Sequence, residues 1–129
     1  GEADRAYDRA TALVRHFPTD VDAIVTNAAG CGSAMKEYGH AFAGRAQHPE
    51  LAACSTRVRD VSELLADLGL VAPHGLGSPL VVAYHDACHL AHAQGIRSAP
   101  RRLLEAIPQV RVVEVPEGDT CCGSAGLYN

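Results

Sequence analysis

Three short runs of apolar, largely β-branched residues each lead within a few positions to a cysteine. Residues 23–26 run out through Asn27-Ala28-Ala29-Gly30 into Cys31, and residues 80–84 through His85-Asp86-Ala87 into Cys88. Residues 110–115 pass through the turn Pro116-Glu117-Gly118-Asp119 and reach Cys121-Cys122-Gly123. Runs of this length and composition predict buried strands. The segments between them carry helical spacing. Ala6, Ala10, Leu13, Val14 and Phe17 predict a helix over residues 2–17, with acidic residues in its first turn and Pro18 at its end. Cys31 is expected to open a helix reaching about Phe42, with Gly39 inside it or near its end. Pro49 starts a short helix through Cys54. Asp60 or Ser62 is expected to cap a helix whose apolar face is Val61, Leu64, Leu65 and Leu68, with Gly69 at its C-terminal end. Residues 71–79 read as a loop. Ser98 is expected to cap a helix carrying Leu103, Leu104 and Ile107, ended by Pro108.

Alternating strands and helices imply an α/β fold with a mainly parallel sheet, here expected as a three-layer sandwich. In such sheets ligands gather beyond the carboxyl ends of the strands. Cys31, Cys88, Cys121 and Cys122 are therefore expected along one edge. Segments 24–31 and 81–88 also echo each other as strand, loop, cysteine and helix. Adjacent thiols such as Cys121 and Cys122 seldom join in a disulfide, because the bond strains the backbone. They suit metal or cluster ligation, since soft thiolates favour zinc and iron–sulfur centres. A thiol at a helix N-terminus meets free N–H groups and a partial positive charge, which favours the thiolate form. Gly30, Gly32 and Gly123 let backbone approach a bulky inorganic group.

Composition removes several classes. The apolar share of 47% and charged share of 20% fit a globular domain, and 129 residues suffice for a core. A net charge of -4 without a basic block argues against nucleic acid. No apolar run reaches the roughly 20 residues that cross a bilayer. Five widely spaced cysteines fit a reducing compartment better than a disulfide-stapled secreted domain. The chain opens on Gly1 and stops soon after the Cys-Cys-Gly, and it is read as a fragment of a larger chain.

Cys88, followed after 32 residues by Cys121-Cys122-Gly123, resembles the first part of the cysteine-rich CCG signature, which in that family ends on a further Cys-x-x-Cys. The longer words around Asn27 to Tyr38, Tyr84 to Gly95 and Cys121 to Asn129 are similar to the iron–sulfur subunit of bacterial glycolate oxidase (glycolate dehydrogenase). The CCG-bearing subunit of heterodisulfide reductase, the lactate-utilisation iron–sulfur protein and the anaerobic glycerol-3-phosphate dehydrogenase small subunit share the domain. The resemblance implies an electron-transfer subunit beside a flavin (FAD) subunit that oxidises glycolate to glyoxylate, with electrons passing toward the respiratory chain. It implies a cytoplasmic protein, peripheral to the inner membrane at most. It implies an iron–sulfur cluster, of 4Fe-4S or non-cubane type, held by Cys88, Cys121 and Cys122. Residues 1–57 would be the C-terminal part of a first repeat and residues 58–129 the N-terminal part of a second, packing as one α/β unit. Cys31 would be the last cysteine of the first Cys-x-x-Cys, but its partner position is Ala28, so that half-site is incomplete.

Blander readings compete. Cys54 has no motif around it and reads as filler. His85, Cys88, His89 and His92 fall on one face if the segment is helical throughout, and such a face could bind zinc. His92 reads better as part of a polar face, while His85 or His89 could donate to a cluster sulfur. Arg97, Arg101 and Arg102 read as a solvated basic face. Gly75-Leu76-Gly77 lacks the context of a nucleotide loop. The main rival function is a docking module whose thiols bind zinc or nothing.

Overall fold

The computed structural model describes residues 1–69, 71, 74 and 77–123. It contains helices α1 (Glu2–Val14), α2 (Ala29–Lys36), α3 (Tyr38–Ala41), α4 (His48–Arg57), α5 (Val61–Leu68) and α6 (Ser98–Glu105), and strands β1 (Ile24–Thr26), β2 (Val58–Asp60), β3 (Leu80–Tyr84) and β4 (Val110–Glu114). A π-helical turn spans His89–Ala93. The fold is α/β, and among the described residues the strand pairing is parallel: β1 pairs with β2, and β3 with β4. The chain divides into two compact units, Gly1–Asp60 and Val61–Asn129. Four positions of the loop over 71–79, among them Gly75 and Leu76, and the words from Ser124 to Asn129 lie outside the described residues.

In the first unit the buried side chains of Ile24, Met35, Cys54 and Val58 meet, with Val14, Phe17, Val21 and Tyr38 packed against them. Cys54 is thus core, and burial pushes its thiol up from the ordinary range. The sequence reading placed one helix from Cys31 to about Phe42. The structure starts α2 two residues earlier, at Ala29, and breaks it at Glu37. The break lets α3 lie on α4 at Gly39, where a Cβ would stand 3.1 Å from the Ala52 Cα. Ser55 stitches the contact. It accepts from the Gly39 N–H at 3.0 Å, and its hydroxyl lies 3.0 Å from the Met35 and Leu51 carbonyls. The Arg57 guanidinium donates to the carbonyls of Pro18, Thr19 and Val21, fixing the passage from α1 to β1. α1 itself ends at Val14, short of Phe17.

Residues 58–60 correct a further expectation. They form a strand that the sequence reading did not assign, β2, in register with β1 from Ile24 and Val58 to Thr26 and Asp60, and β2 runs directly into α5. The helix expected to be capped by Asp60 or Ser62 begins at Val61. In the second unit, β3 and β4 pair over five positions, from Leu80 with Val110 to Tyr84 with Glu114. Ser98 is the first residue of α6 and Arg97 holds the cap position. Leu80 and Val81 of β3 and Val25 of β1 are exposed.

Leu51 of α4 is fully buried, at 0% exposure. Leu51→Ala is expected to lower stability by about 3 kcal/mol, through lost transfer energy and the cavity left behind. A urea melt should show a lower midpoint at unchanged slope.

Candidate functional site

Parallel register puts the C-terminal ends of β3 and β4 side by side, so the chain leaves both strands in the same direction. Cys88 lies four residues beyond β3, and Cys121 seven beyond β4. The two exits are tied to each other. The Asp86 N–H donates to the Gly118 carbonyl at 2.9 Å. Gly118 sits so close to its own turn that a Cβ there would fall 2.8 Å from the Val115 carbonyl oxygen. The His92 ring meets the Asp119 carbonyl at 2.9 Å. A loop two residues before Cys88 and a turn three residues before Cys121 are therefore fastened together.

Arg101 of α6 holds the first of these loops. Its guanidinium makes two parallel bonds to the Asp86 carboxylate, both at 2.9 Å, and two more to Glu114 of β4, at 2.7 and 2.8 Å. It also lies over the Tyr84 ring, 4.7 Å from the centroid. Such bidentate pairs combine charge with fixed geometry. The Asp86 side chain is only 7% exposed. Hydrogen bonding from Arg101 holds its carboxyl below the usual range against the opposing effect of burial. The same guanidinium lowers Glu114 by hydrogen bonding. The expectation of a merely solvated face over Arg97, Arg101 and Arg102 is corrected at Arg101, whose partners stand on β4 and beyond β3. The sequence hint was an Asp inside the cysteine loop, a buried carboxylate in need of a cation.

None of the five cysteines is joined in a disulfide. Cys88 is half-buried, and its sulfur lies 3.4 Å from His89 Nδ1. Cys121, Cys122 and His85 are exposed, and Gly123 takes a left-handed φ of 76°. An L side chain would be strained there. Cys31 belongs to the first unit, exposed, as the third residue of α2. The condition for one helical face through His85, Cys88, His89 and His92 is not met, because residues 85–87 are not helical and the next turn is π. Among the described residues, no three His, Cys, Asp or Glu side chains form a group able to hold a metal ion. The donor set itself suits an iron–sulfur group: three thiols on two fastened loops, with a glycine backbone beside the pair. Among the described residues no helix is long and apolar enough to cross a membrane.

Residues 82–129 match the family model of the cysteine-rich CCG domain. Across its whole length the chain is 39% identical to a Bacillus subtilis protein named "Probable glycolate oxidase iron-sulfur subunit", of which it spans 30%. It is 28% identical, again across its whole length, to "Lactate utilization protein A" of Geobacillus kaustophilus, spanning 54% of that protein. Over 81% of its length it is 35% identical to a subunit of the fumarate reductase (CoM/CoB) of Methanothermobacter marburgensis, spanning 19% of it. No solved structure matches.

Arg101→Met should leave the Asp86 carboxylate buried without its bidentate partner and faced only by Arg97 at 4.0 Å, destabilising the chain by about 3 kcal/mol in thermal or urea unfolding. Asp86 has a lowered folded pKa, so its contribution is present above the unfolded carboxylate value and is lost as pH falls through the folded one. Wild-type stability should therefore drop steeply below about pH 4. In Asp86→Asn that part of the acid dependence should vanish, and an unchanged acid profile would remove Asp86 from the account.

Proposed function

We propose that this chain is part of the iron–sulfur electron-transfer component of a glycolate dehydrogenase. A flavin-bearing partner subunit would oxidise glycolate to glyoxylate, and the electrons would pass through this component toward a respiratory acceptor. The observation that carries the reading is the 39% identity to the B. subtilis subunit across the whole of this chain. The protein would be cytoplasmic, or peripheral at the cytoplasmic face of the membrane.

Cys88, Cys121 and Cys122 would hold the cluster, of 4Fe-4S or non-cubane type, as three thiolates from two loops. When bound, the group supplies one-electron transfer at a potential set by its ligands, nearby hydrogen bonds and solvent access. His89, already beside the Cys88 sulfur, is placed to donate a hydrogen bond to sulfur, and His85 would do so from the same loop. Gly123 lets the chain turn immediately after the cysteine pair. The two units would be the C-terminal part of one CCG repeat and the N-terminal part of the next. In the first, Cys31 would serve as a single ligand, since Ala28 stands where a second thiol would be. Lactate in place of glycolate is the closest rival, supported by lower identity over the same length. A zinc-binding or metal-free docking module is the rival from another class.

Anaerobically purified protein is expected to contain iron and acid-labile sulfide in stoichiometric amounts, with an EPR signal on reduction. Both should disappear in a Cys121→Ser, Cys122→Ser double variant. Zinc alone, or well-folded protein without metal, would overturn the proposal. With the flavin partner present, glycolate should reduce the cluster faster than lactate does, and the reverse order would favour the lactate reading.

A further inference from the structure

The imidazole of His92 has both nitrogens engaged, and the partners fix its chemical form. Nε2 lies 2.9 Å from the Asp119 carbonyl oxygen, which can only accept. Nδ1 lies 3.1 Å from a guanidinium nitrogen of Arg97, which can only donate. The pair of contacts assigns the neutral ring with its hydrogen on Nε2. That ring spans two segments far apart in sequence: His92 is four residues after Cys88, and Asp119 is two before Cys121. Arg97 extends the connection, with its guanidinium 4.0 Å from the Asp86 carboxylate that Arg101 also holds. His92 reaches its partners from a π turn, in which the Gln94 N–H bonds to the His89 carbonyl at 3.2 Å. Such turns are rare in helices and frequent at functional sites.

We propose that His92 is a positioning residue, a tether that holds the Cys121-Cys122 segment at a fixed place relative to the Cys88 loop. Its role toward a cluster rests on the electron-transfer reading above; the tether itself rests on the geometry alone. Thiolates from two loops can close on one inorganic group only if the loops keep their spacing. The Asp86–Gly118 backbone bond sets one point of contact between them, and the His92–Asp119 bond sets a second. Two points define a direction as well as a distance, so the second bond decides how the cysteine pair faces Cys88. The side chain is exposed, and its role is one that a glutamine could fill: the amide N–H donates to the Asp119 carbonyl while the amide oxygen accepts from Arg97.

The test compares wild type, His92→Leu and His92→Gln. In metal-free protein, amide hydrogen exchange over residues 118–123 should quicken about fivefold in His92→Leu, the factor one hydrogen bond of typical net strength is worth. His92→Gln should return it toward wild type. In loaded protein the EPR spectrum and midpoint potential should shift in the leucine variant and recover in the glutamine one, which a loss of general stability would not produce. Long-range proton–nitrogen NMR on wild type should find the hydrogen on Nε2. That measurement decides the matter even if His92→Leu does not fold. Exchange indifferent to His92→Leu, leucine and glutamine variants that behave alike, or a hydrogen on Nδ1 would each overturn the tether. Exchange that responds as expected in a protein that never takes up iron would uphold the tether and defeat the electron-transfer reading. Bound iron with exchange indifferent to His92 would do the opposite.

Discussion

One guanidinium organises the second unit. Arg101 faces a carboxylate from the loop after β3, a carboxylate from β4 and the ring of Tyr84, the last residue of β3. It therefore joins a helix to both strands and to the cysteine loop. The interaction works because guanidinium is planar, with donors enough for two bidentate pairs and a face for an aromatic ring. A lysine would keep the charge and lose the geometry. Asp86 is the member with most at stake. It is nearly inaccessible, and a buried carboxylate is tolerable only while its cation is in place. Glu114 lies in the open, so its bonds add orientation more than energy.

The first unit is held by different means. Its strands are three residues long, and helix contacts supply most of the packing. A serine hydroxyl that serves three backbone groups joins α3, α4 and the end of α2. A glycine without room for a methyl group allows the approach. The Arg57 guanidinium adds bonds to backbone carbonyls before β1, and the Arg45–Asp4 ion pair is exposed. The first unit thus rests on no buried ion pair like that of Asp86 and Arg101 among the bonds named here.

Much of the second unit was legible in the sequence. Residues 80–84 and 110–114 form strands because β-branched runs bounded by breakers have few alternatives, and Ser98 and Pro108 bracket α6 closely. Cys88 and the Cys121-Cys122 pair lie on the C-terminal side of β3 and β4, as the alternation required. What was not legible has physical reasons. Val58-Arg59-Asp60 is too short to show a period and is fixed as a strand only by β1, 34 residues away in register. Arg101 looked like one of three surface cations because its partners are 13 and 15 residues distant. The π turn at His89–Ala93 differs from an α turn by one hydrogen-bond step, which no residue pattern announces. Cys31 was correctly placed near a helix start, although α2 begins before it.

The parallel pairing of β3 and β4 carries a consequence for the order of events during folding. Two parallel strands cannot be joined by a tight turn, and here the connection contains the cysteine loop, the π turn and all of α6. Pairing must wait until that whole crossover has found its path, which makes it a non-local and comparatively slow step. The thiols of Cys88 and Cys121 are brought to the same end of the sheet by that same step. Sheet closure and the approach of the thiol-bearing loops are one kinetic event, and until it occurs these cysteines stay as independent of one another as in the unfolded chain.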